Sequence, residues 1–500
     1  MKVNSFFVVC ALAFLAASEV LGERKESDLY YSCVQESGTV AELSDASIWK
    51  SGSYDGPQFT GSLDATDDNI NFLNISLTRP DSDLRDFAFG LSDSLEVAGV
   101  NMKAFYGKDN WIVNLLQVAE GKTLSVAGNF VLNVQNGTIG SPFTVFTIGE
   151  NSGIDIGGDF EFYQFMFDGR VTFSQGGTGS SVSVGGGMNI SASRGAELGI
   201  GVKNFSVGGV LTLTGTYEYS HLNLADGCAW YEGEYARSFG GLVGNAKIEM
   251  DNTADMNFKW EFTNSSVCDF MGTFAKEDAK TTLDIIMNAA SASGKQTLRF
   301  ESAGSYTYSY RNYSDGDVRS VTVNRGELDM GMHSGMSGGY LEINGAEAVF
   351  SAAGMVSGEV GTVYFDSAWF SQGTIRIDFS ELEGADKIVV ANGFETPNAG
   401  AVCFELNISS EDLGVWLETY EVEYLDYTIL EFGFSNISAD EASKMIKAAD
   451  GRVAANVLQG DLADGKLTVR LSLAAVPEPA AVAAILGALA LAFAAWRARK

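Results

Sequence analysis

Apolar and polar residues alternate through most of this chain, and in its first half the alternation recurs as a short phrase closed by glycine. The copies are Leu95-Glu-Val-Ala-Gly99, Leu124-Ser-Val-Ala-Gly128, Ile154-Asp-Ile-Gly-Gly158, Val182-Ser-Val-Gly-Gly186 and Phe205-Ser-Val-Gly-Gly209. Their closing glycines are 29, 30, 28 and 23 residues apart, the period of one solenoid turn or hairpin unit. A period of two puts the apolar letters on one face of a strand, and the glycine lets the backbone turn or approach a neighbour closely. A second alternating stretch often follows, as in Phe130-Val-Leu-Asn-Val134, Phe160-Glu-Phe162 and Val210-Leu-Thr-Leu213. The unit therefore reads strand, glycine corner, strand, and stacked units would bury a continuous ladder of Val, Leu, Ile and Phe. The same letters also fit an antiparallel sandwich with glycine-rich hairpins.

Beyond about residue 216 the phrase fades and the chain becomes more aromatic and polar, as in Thr216-Tyr-Glu-Tyr219 and Ser305-Tyr-Thr-Tyr-Ser-Tyr310. Here Ala275 to Ala290 is expected to form one helix. Glycine-rich texture returns after Gly331, with Leu341-Glu-Ile-Asn-Gly345 echoing the phrase. Strands are expected at Gly373 to Phe379, Tyr427 to Phe432 and Leu467 to Leu473. A helix should start at the capping box Ser438-Ala-Asp-Glu441 and stop at Gly451. This last segment is expected to cap the stack, because an open end would leave strand edges unpaired.

The two ends have a different texture. Lys2 precedes a 12-residue apolar stretch, Phe6 to Ala17, with small residues suited to cleavage after Ser18 or Gly22, so residues 1–22 are expected to be a secretory signal peptide. Cys10 follows Val8-Val9, without the small residue a lipid-attachment site needs. At the other end, Val476-Pro477-Glu478-Pro479 precedes an uncharged run from Ala480 to Ala495 and then Trp496-Arg497-Ala498-Arg499-Lys500. Sixteen helical residues reach about 24 Å, short of a hydrocarbon core of roughly 30 Å unless Trp496 extends the span at the interface. The closing basic cluster has the character of a stop-transfer signal that stays on the cytoplasmic side. An ordinary tail anchor accounts for these features, with the prolines as a linker. A glycolipid-anchor signal fits less well, since such tails end apolar.

The tail resembles the PEP-CTERM sorting signal of Gram-negative-type bacteria, through Pro477, Glu478, Pro479, the apolar run, Arg497 and Arg499. That resemblance implies export by the general secretion machinery, membrane insertion through residues 480–496, and recognition by an exosortase, a membrane cysteine protease. The expected location is first the inner membrane and then the cell surface or extracellular matrix, among bacteria that make extracellular polysaccharide. Residues 90 to 215 resemble the glycine-rich repeats of autotransporter-like passenger domains, which implies a right-handed parallel β-helix. A true autotransporter also carries a C-terminal translocating barrel, so self-translocation does not carry over.

The expected fold is therefore all-β: an elongated parallel β-helix or β-solenoid-like ectodomain with a short capping helix and one C-terminal transmembrane helix. Its expected divisions are the signal peptide 1–22, a β-rich segment 23–90, the repeat region 91–215, an aromatic β-rich insertion 216–330, a β-rich region 331–476 and the sorting tail 477–500.

Charge narrows the function. Without the two terminal segments the chain carries 28 basic and 62 acidic residues, which argues strongly against nucleic acid as a partner. Four cysteines remain, Cys33, Cys228, Cys268 and Cys403, an even number that suits one or two disulfides in an exported chain. Cys228 with Cys268 closes the shortest loop within one segment, while free buried thiols are the other reading. No Cys or His spacing suggests structural zinc.

Catalytic motifs fare poorly. Gly335-Met-Ser337-Gly-Gly339 has the letters of a hydrolase nucleophile elbow, with His333 nearby, but an elbow needs a helix after the Ser, and Tyr340 to Ile343 reads as strand. Both histidines, His221 and His333, also precede the Ser, against the order of that fold. The acidic groups Asp64, Asp67 and Asp68, then Asp81, Asp83 and Asp86, then Asp315 and Asp317 lack a calcium-loop pattern, and Ser181 stands where a nonapeptide calcium repeat needs Asp. Asp155 and Asp159 are the best candidate carboxylates for a carbohydrate-active β-helix, yet no basic partner recurs beside them. Sequons such as Asn74, Asn136 and Asn407 read as an Asn-, Ser- and Thr-rich surface. The expectation is a non-enzymatic surface or matrix protein without metal or cofactor, polysaccharide-associated or adhesive, the alternative being a polysaccharide lyase or glycoside hydrolase with the same address.

Overall fold

The computed structural model describes residues 28–34, 40–60, 63, 72–79, 88–106, 112–136, 143–164, 169–175, 177–215, 220–223, 233–244, 246–250, 256–270, 273–276, 282–298, 318–330, 337–352, 360–382, 384–474 and 497. The expected signal peptide, Pro477, Glu478, Pro479, Arg499 and the run 480–496 lie outside these residues, as do Cys228, His333 and the acidic groups near 64, 81 and 315. Among the described residues no helix is long and apolar enough to cross a membrane. The chain is all-β in class, dominated by parallel strand pairing, and divides into two compact units, Met1–Asp317 and Val318–Lys500.

In the first unit the recurring phrases pair with one another. Leu95–Val97, Thr123–Val126, Gly153–Ile156, Ser181–Val184 and Asn204–Val207 form one parallel ladder, with Leu95, Leu124, Ile154, Val182 and Phe205 in register. After each glycine corner the chain enters a second parallel ladder, through Gly99–Tyr106, Phe130–Asn136, Phe160–Gln164, Met188–Ala192 and Leu211–Thr214. Between repeats it supplies a third, through Phe89–Leu91, Ile112–Val118, Phe143–Ile148, Gly169–Gln175 and Ala196–Ile200. The pairing in all three is parallel, which antiparallel hairpins would not produce. The second ladder begins at Asp28–Val34 and Phe72–Arg79, and the first goes on through Gly233–Phe239, Met256–Phe262 and Thr282–Asn288. Pairing thus continues across residues 90 and 215.

The inward face is apolar because the alternation never slips. Leu124, Val126, Ile154, Ile156, Val182, Val184, Phe205 and Val207 are all buried. Aromatic rings link the ladders, with Phe160 and Phe173 5.6 Å apart and Phe173 and Phe205 5.9 Å apart. Burying each such side chain contributes about 1.5–3 kcal/mol. Polar residues also stand inward: Gln164 is buried in register with Val134 and Ala192, and Arg237 stands in register between Phe205 and Trp260 and is buried. Its guanidinium donates to the carbonyls of Ile200, Lys203 and Ala236 and lies 5.5 and 5.3 Å from the rings of Tyr235 and Phe258.

The corners explain the glycines. Gly158 N donates to Gly128 O at 2.9 Å, Gly186 N to Gly158 O at 2.9 Å and Gly209 N to Gly186 O at 2.8 Å. A Cβ on Gly158 would lie 2.8 Å from the carbonyl carbon of Gly128, and one on Gly209 2.8 Å from that of Gly186. None of these glycines has positive φ, so close backbone approach is the reason for them.

The helix expected from Ala275 to Ala290 is not formed. Thr273–Lys276 and Thr282–Asn288 are strands there, the latter with Leu283, Ile285 and Met287 buried in alternation. Pairing with Phe258, Trp260 and Phe262 rewards a period of two and overrides local helix propensity.

The second unit starts with three long parallel strands, Val318–Asp329, Ser337–Ser351 and Thr362–Ser380. Lys387–Glu395 pairs along the first half of the third strand and Val402–Asn407 along its second half. Leu425–Phe432 and Ile446–Ala448 continue these two lines in parallel. Lys466–Leu473 then runs antiparallel to both Leu425–Phe432 and Val453–Val457, which ends the parallel series. Helices α1 (Ser410–Thr419), α2 (Ala439–Met445) and α3 (Gln459–Ala463) are interspersed among these strands. The capping box at α2 is formed in both directions between Ser438 and Glu441. The helix ends six residues earlier than expected, because Ile446 is drawn into register with Phe404. Helix α1 was not anticipated, although Ser409 as N-cap and the four-residue spacing of Leu413 and Leu417 mark it.

Candidate functional site

The second letter of each phrase faces outward, so the parallel register turns a scattered residue type into a column. Glu96, Ser125, Asp155, Ser183, Ser206, Ser238 and Glu261 follow one another at successive positions of the first ladder. Adjacent members are separated by about 4.8 Å, the spacing of paired strands. Beside this column runs a groove of ≈ 370 Å³, bordered by Asp155, Ser183, Ser206, Ser238 and Thr263 and floored in part by Gly157, Gly185 and Gly208. A Cβ on any of those glycines would lie 2.5 Å from the carbonyl oxygen of the preceding corner, so each is there for close stacking of the floor. The Ser183 hydroxyl donates to Asp155 Oδ1 at 2.7 Å. The Ser206 and Ser238 hydroxyls make no hydrogen bond to any described residue, so they stand ready to donate and accept. Among the described residues no Lys or Arg lines the groove.

Asp155 is exposed at one end of this groove, but Asp159 is not turned to the same use. Asp159 Oδ1 accepts from Gly187 N at 2.7 Å, and Asp159 N in turn donates to Asn129 Oδ1 at 2.9 Å. Asn129, Asp159 and Gly187 thus tie three successive corners together. The two candidate carboxylates do not converge on a common point with a base.

A second cluster lies in the second unit and was not legible in the sequence. Asp329, Asp378 and Asp386 are all buried. Asp386 Oδ1 accepts from Gly361 N at 2.8 Å and Oδ2 from Asp378 N at 3.1 Å. Burial pushes the Asp386 carboxyl up to about 8 against those two hydrogen bonds, with Asp378 and Asp329 adding repulsion. Asn407, one of the sequons, donates its side-chain amide to Asp378 Oδ1. Nearby on the same long strand, Arg376 pairs with Glu327 at 2.5 Å and with Glu405 at 3.7 Å. The trio can hold a proton near neutrality, but its burial keeps a polymer substrate away from it. Sequence spacing gave no sign of it, because the three aspartates lie on different strands or turns and meet only through the fold.

The other sequence candidates separate. Ser337 opens the strand Ser337–Ser351, so the segment after it is strand and not the helix a nucleophile elbow requires. His221 lies on the strand His221–Asn223 of the third ladder, paired with Glu197 and Lys247. Cys268 is a buried free thiol, its pKa raised by burial, while Cys228, its expected disulfide partner, lies outside the described residues. Cys403 is also a free thiol. Among the described residues no group of three or more His, Cys, Asp or Glu is placed to hold a metal ion. No protein-family model matches the chain, and no curated protein matches it.

Proposed function

We propose that this chain is a non-enzymatic exported surface or matrix protein, an elongated parallel β-helix whose groove beside the serine column holds a polysaccharide chain through many weak contacts. The observation that carries this reading is the groove itself. It presents hydroxyls at a regular interval on a rigid ladder and leaves those of Ser206 and Ser238 available to a polyhydroxylated ligand. Repetition of weak contacts along a polymer yields avidity without any single strong site. The address is the one that the tail's resemblance implies: secretion, anchoring through residues 480–496 as a transmembrane helix, and processing by an exosortase that reads Pro477, Glu478 and Pro479 ahead of Arg497 and Arg499.

The second reading, a carbohydrate-active β-helix enzyme, has one observation in its favour, the raised pKa of Asp386 among Asp329 and Asp378. Burial of all three carboxyls weighs against it. Incubation of the full chain with a panel of neutral and acidic polysaccharides, followed by co-sedimentation and assay of new reducing or unsaturated ends, separates the two. Retention without new ends is expected. New ends that disappear in Asp386→Asn would replace this reading with the enzymatic one.

A further inference from the structure

The second unit carries an apolar strip that its own fold leaves uncovered. Leu382 is 88% exposed and Val415 55%, and Tyr420, Val422, Tyr424 and Leu473 are exposed as well. They lie on segments that touch one another. The Tyr420 hydroxyl donates to Glu381 O beside Leu382, Val422 N donates to Leu417 O on α1, and the Leu473 side chain passes 3.8 Å from where a Gly414 Cβ would stand. The Arg470 guanidinium lies 3.7 Å from the centre of the Tyr424 ring, joining the last strand to the strip. A contiguous exposed apolar surface on a soluble unit marks a contact face.

The covalent chain says what reaches that face. The continuous described stretch of the unit runs to Ala474, and the apolar run starts at Ala480. Six residues span at most about 20 Å when fully extended. We infer that the strip on α1, the Tyr420–Tyr424 turn and the last strand rests on the surface of the bilayer that holds residues 480–496. This rests on the anchoring reading proposed above. Tyrosines and aliphatic groups suit the interfacial layer, where a ring sits among the headgroups with its hydroxyl in water. The rim selects the lipid: Glu381, Glu411, Glu418, Glu421 and Glu423 are exposed around the strip. Their charge repels an anionic headgroup layer and a second copy of the same face, and it tolerates zwitterionic headgroups.

The test uses the full chain carrying a protease site between Ala474 and Ala480, placed in nanodiscs of phosphatidylethanolamine and phosphatidylcholine. Amide exchange of residues 415–424 is expected to slow at least fivefold in the discs and to recover on cutting. Leu382→Ser, Val415→Ser and Val422→Ser, all at exposed positions, should abolish the slowing while the protein stays on the discs. A chain that does not associate with the discs at all overturns the anchoring reading, and this inference with it. An anchored chain whose exchange is the same before and after cutting overturns the inference alone. Protection that survives cutting and grows with protein concentration assigns the strip to a second copy and overturns it too.

Discussion

The two units both build parallel ladders of buried strands, and both contain glycines at close backbone approaches, Gly158 and Gly209 in the first and Gly345 and Gly433 in the second, but they differ in emphasis. The first repeats one short phrase and lets absence of side chains do the positioning: Gly128, Gly158, Gly186 and Gly209 bring consecutive corners within hydrogen-bonding distance of each other. The second uses long strands without a common phrase and fastens its turns with specific polar groups, such as Asp386 on Gly361 and Asp378 and the Ser438–Glu441 box on α2. A glycine corner is insensitive to pH and intolerant of bulk. A buried carboxyl that bridges backbone amides tolerates no change of chemistry and responds to protons. The difference teaches that register can be held either by steric permission, which is readable in one dimension, or by convergent polar contacts, which are not.

The largest expected effect separates the units by pH. Burial pushes the Asp386 carboxyl from its ordinary 3.8 up to about 8, so the native state holds a proton between these values that the unfolded chain releases. Its favourable contribution is therefore complete below about pH 4, declines as pH rises and is gone above about pH 8, a change of up to about 6 kcal/mol. Denaturant unfolding followed at pH 5 and pH 8 should show the second unit weakening with the first unchanged. Asp386→Asn should flatten that dependence, whatever it does to absolute stability; an unaltered slope in the variant would remove Asp386 as the cause.

Bulk at the corners comes next. Gly158→Val and Gly209→Val each place a side chain against the preceding corner's backbone and should cost the first unit about 2 kcal/mol or more. Gly451→Ala and Gly460→Ala in the second unit meet open space and should stay within about 0.5 kcal/mol of the parent. Equal shifts in melting temperature at the two kinds of site would remove close backbone approach as the reason for the corner glycines.

A smaller effect is expected at the α2 cap. Ser438→Ala removes the acceptor for Glu441 N and should cost about 1 kcal/mol, read as a lower denaturation midpoint of the second unit. The smallest effect on stability belongs to the serine column. Ser206→Tyr and Ser238→Tyr point outward and should change stability by less than about 0.5 kcal/mol while reducing polysaccharide retention more than tenfold by filling the groove. Normal retention in the double variant would clear the groove of any binding role.

Much of the first unit was legible from the chain alone, because its information is periodic. The phrase spacing, the inward apolar letters and the corner glycines follow from a period of two and from the one residue that lacks a Cβ. The strand after Ser337, the strands within Thr362–Ser380 and at Lys466–Leu473, and the start of α2 were readable for the same local reasons. Tertiary structure decided what local pattern left open. Parallel pairing was favoured over hairpins only through partners about 30 residues away, and Thr282–Asn288 became strand because Phe258, Trp260 and Phe262 were already laid out to receive it. The serine column exists only once the repeats are in register, and Asp329, Asp378 and Asp386 are neighbours only after three long strands and a turn have come together. Periodicity and steric permission are properties of neighbouring letters, whereas convergence of distant polar groups depends on loop lengths and register that no local window contains.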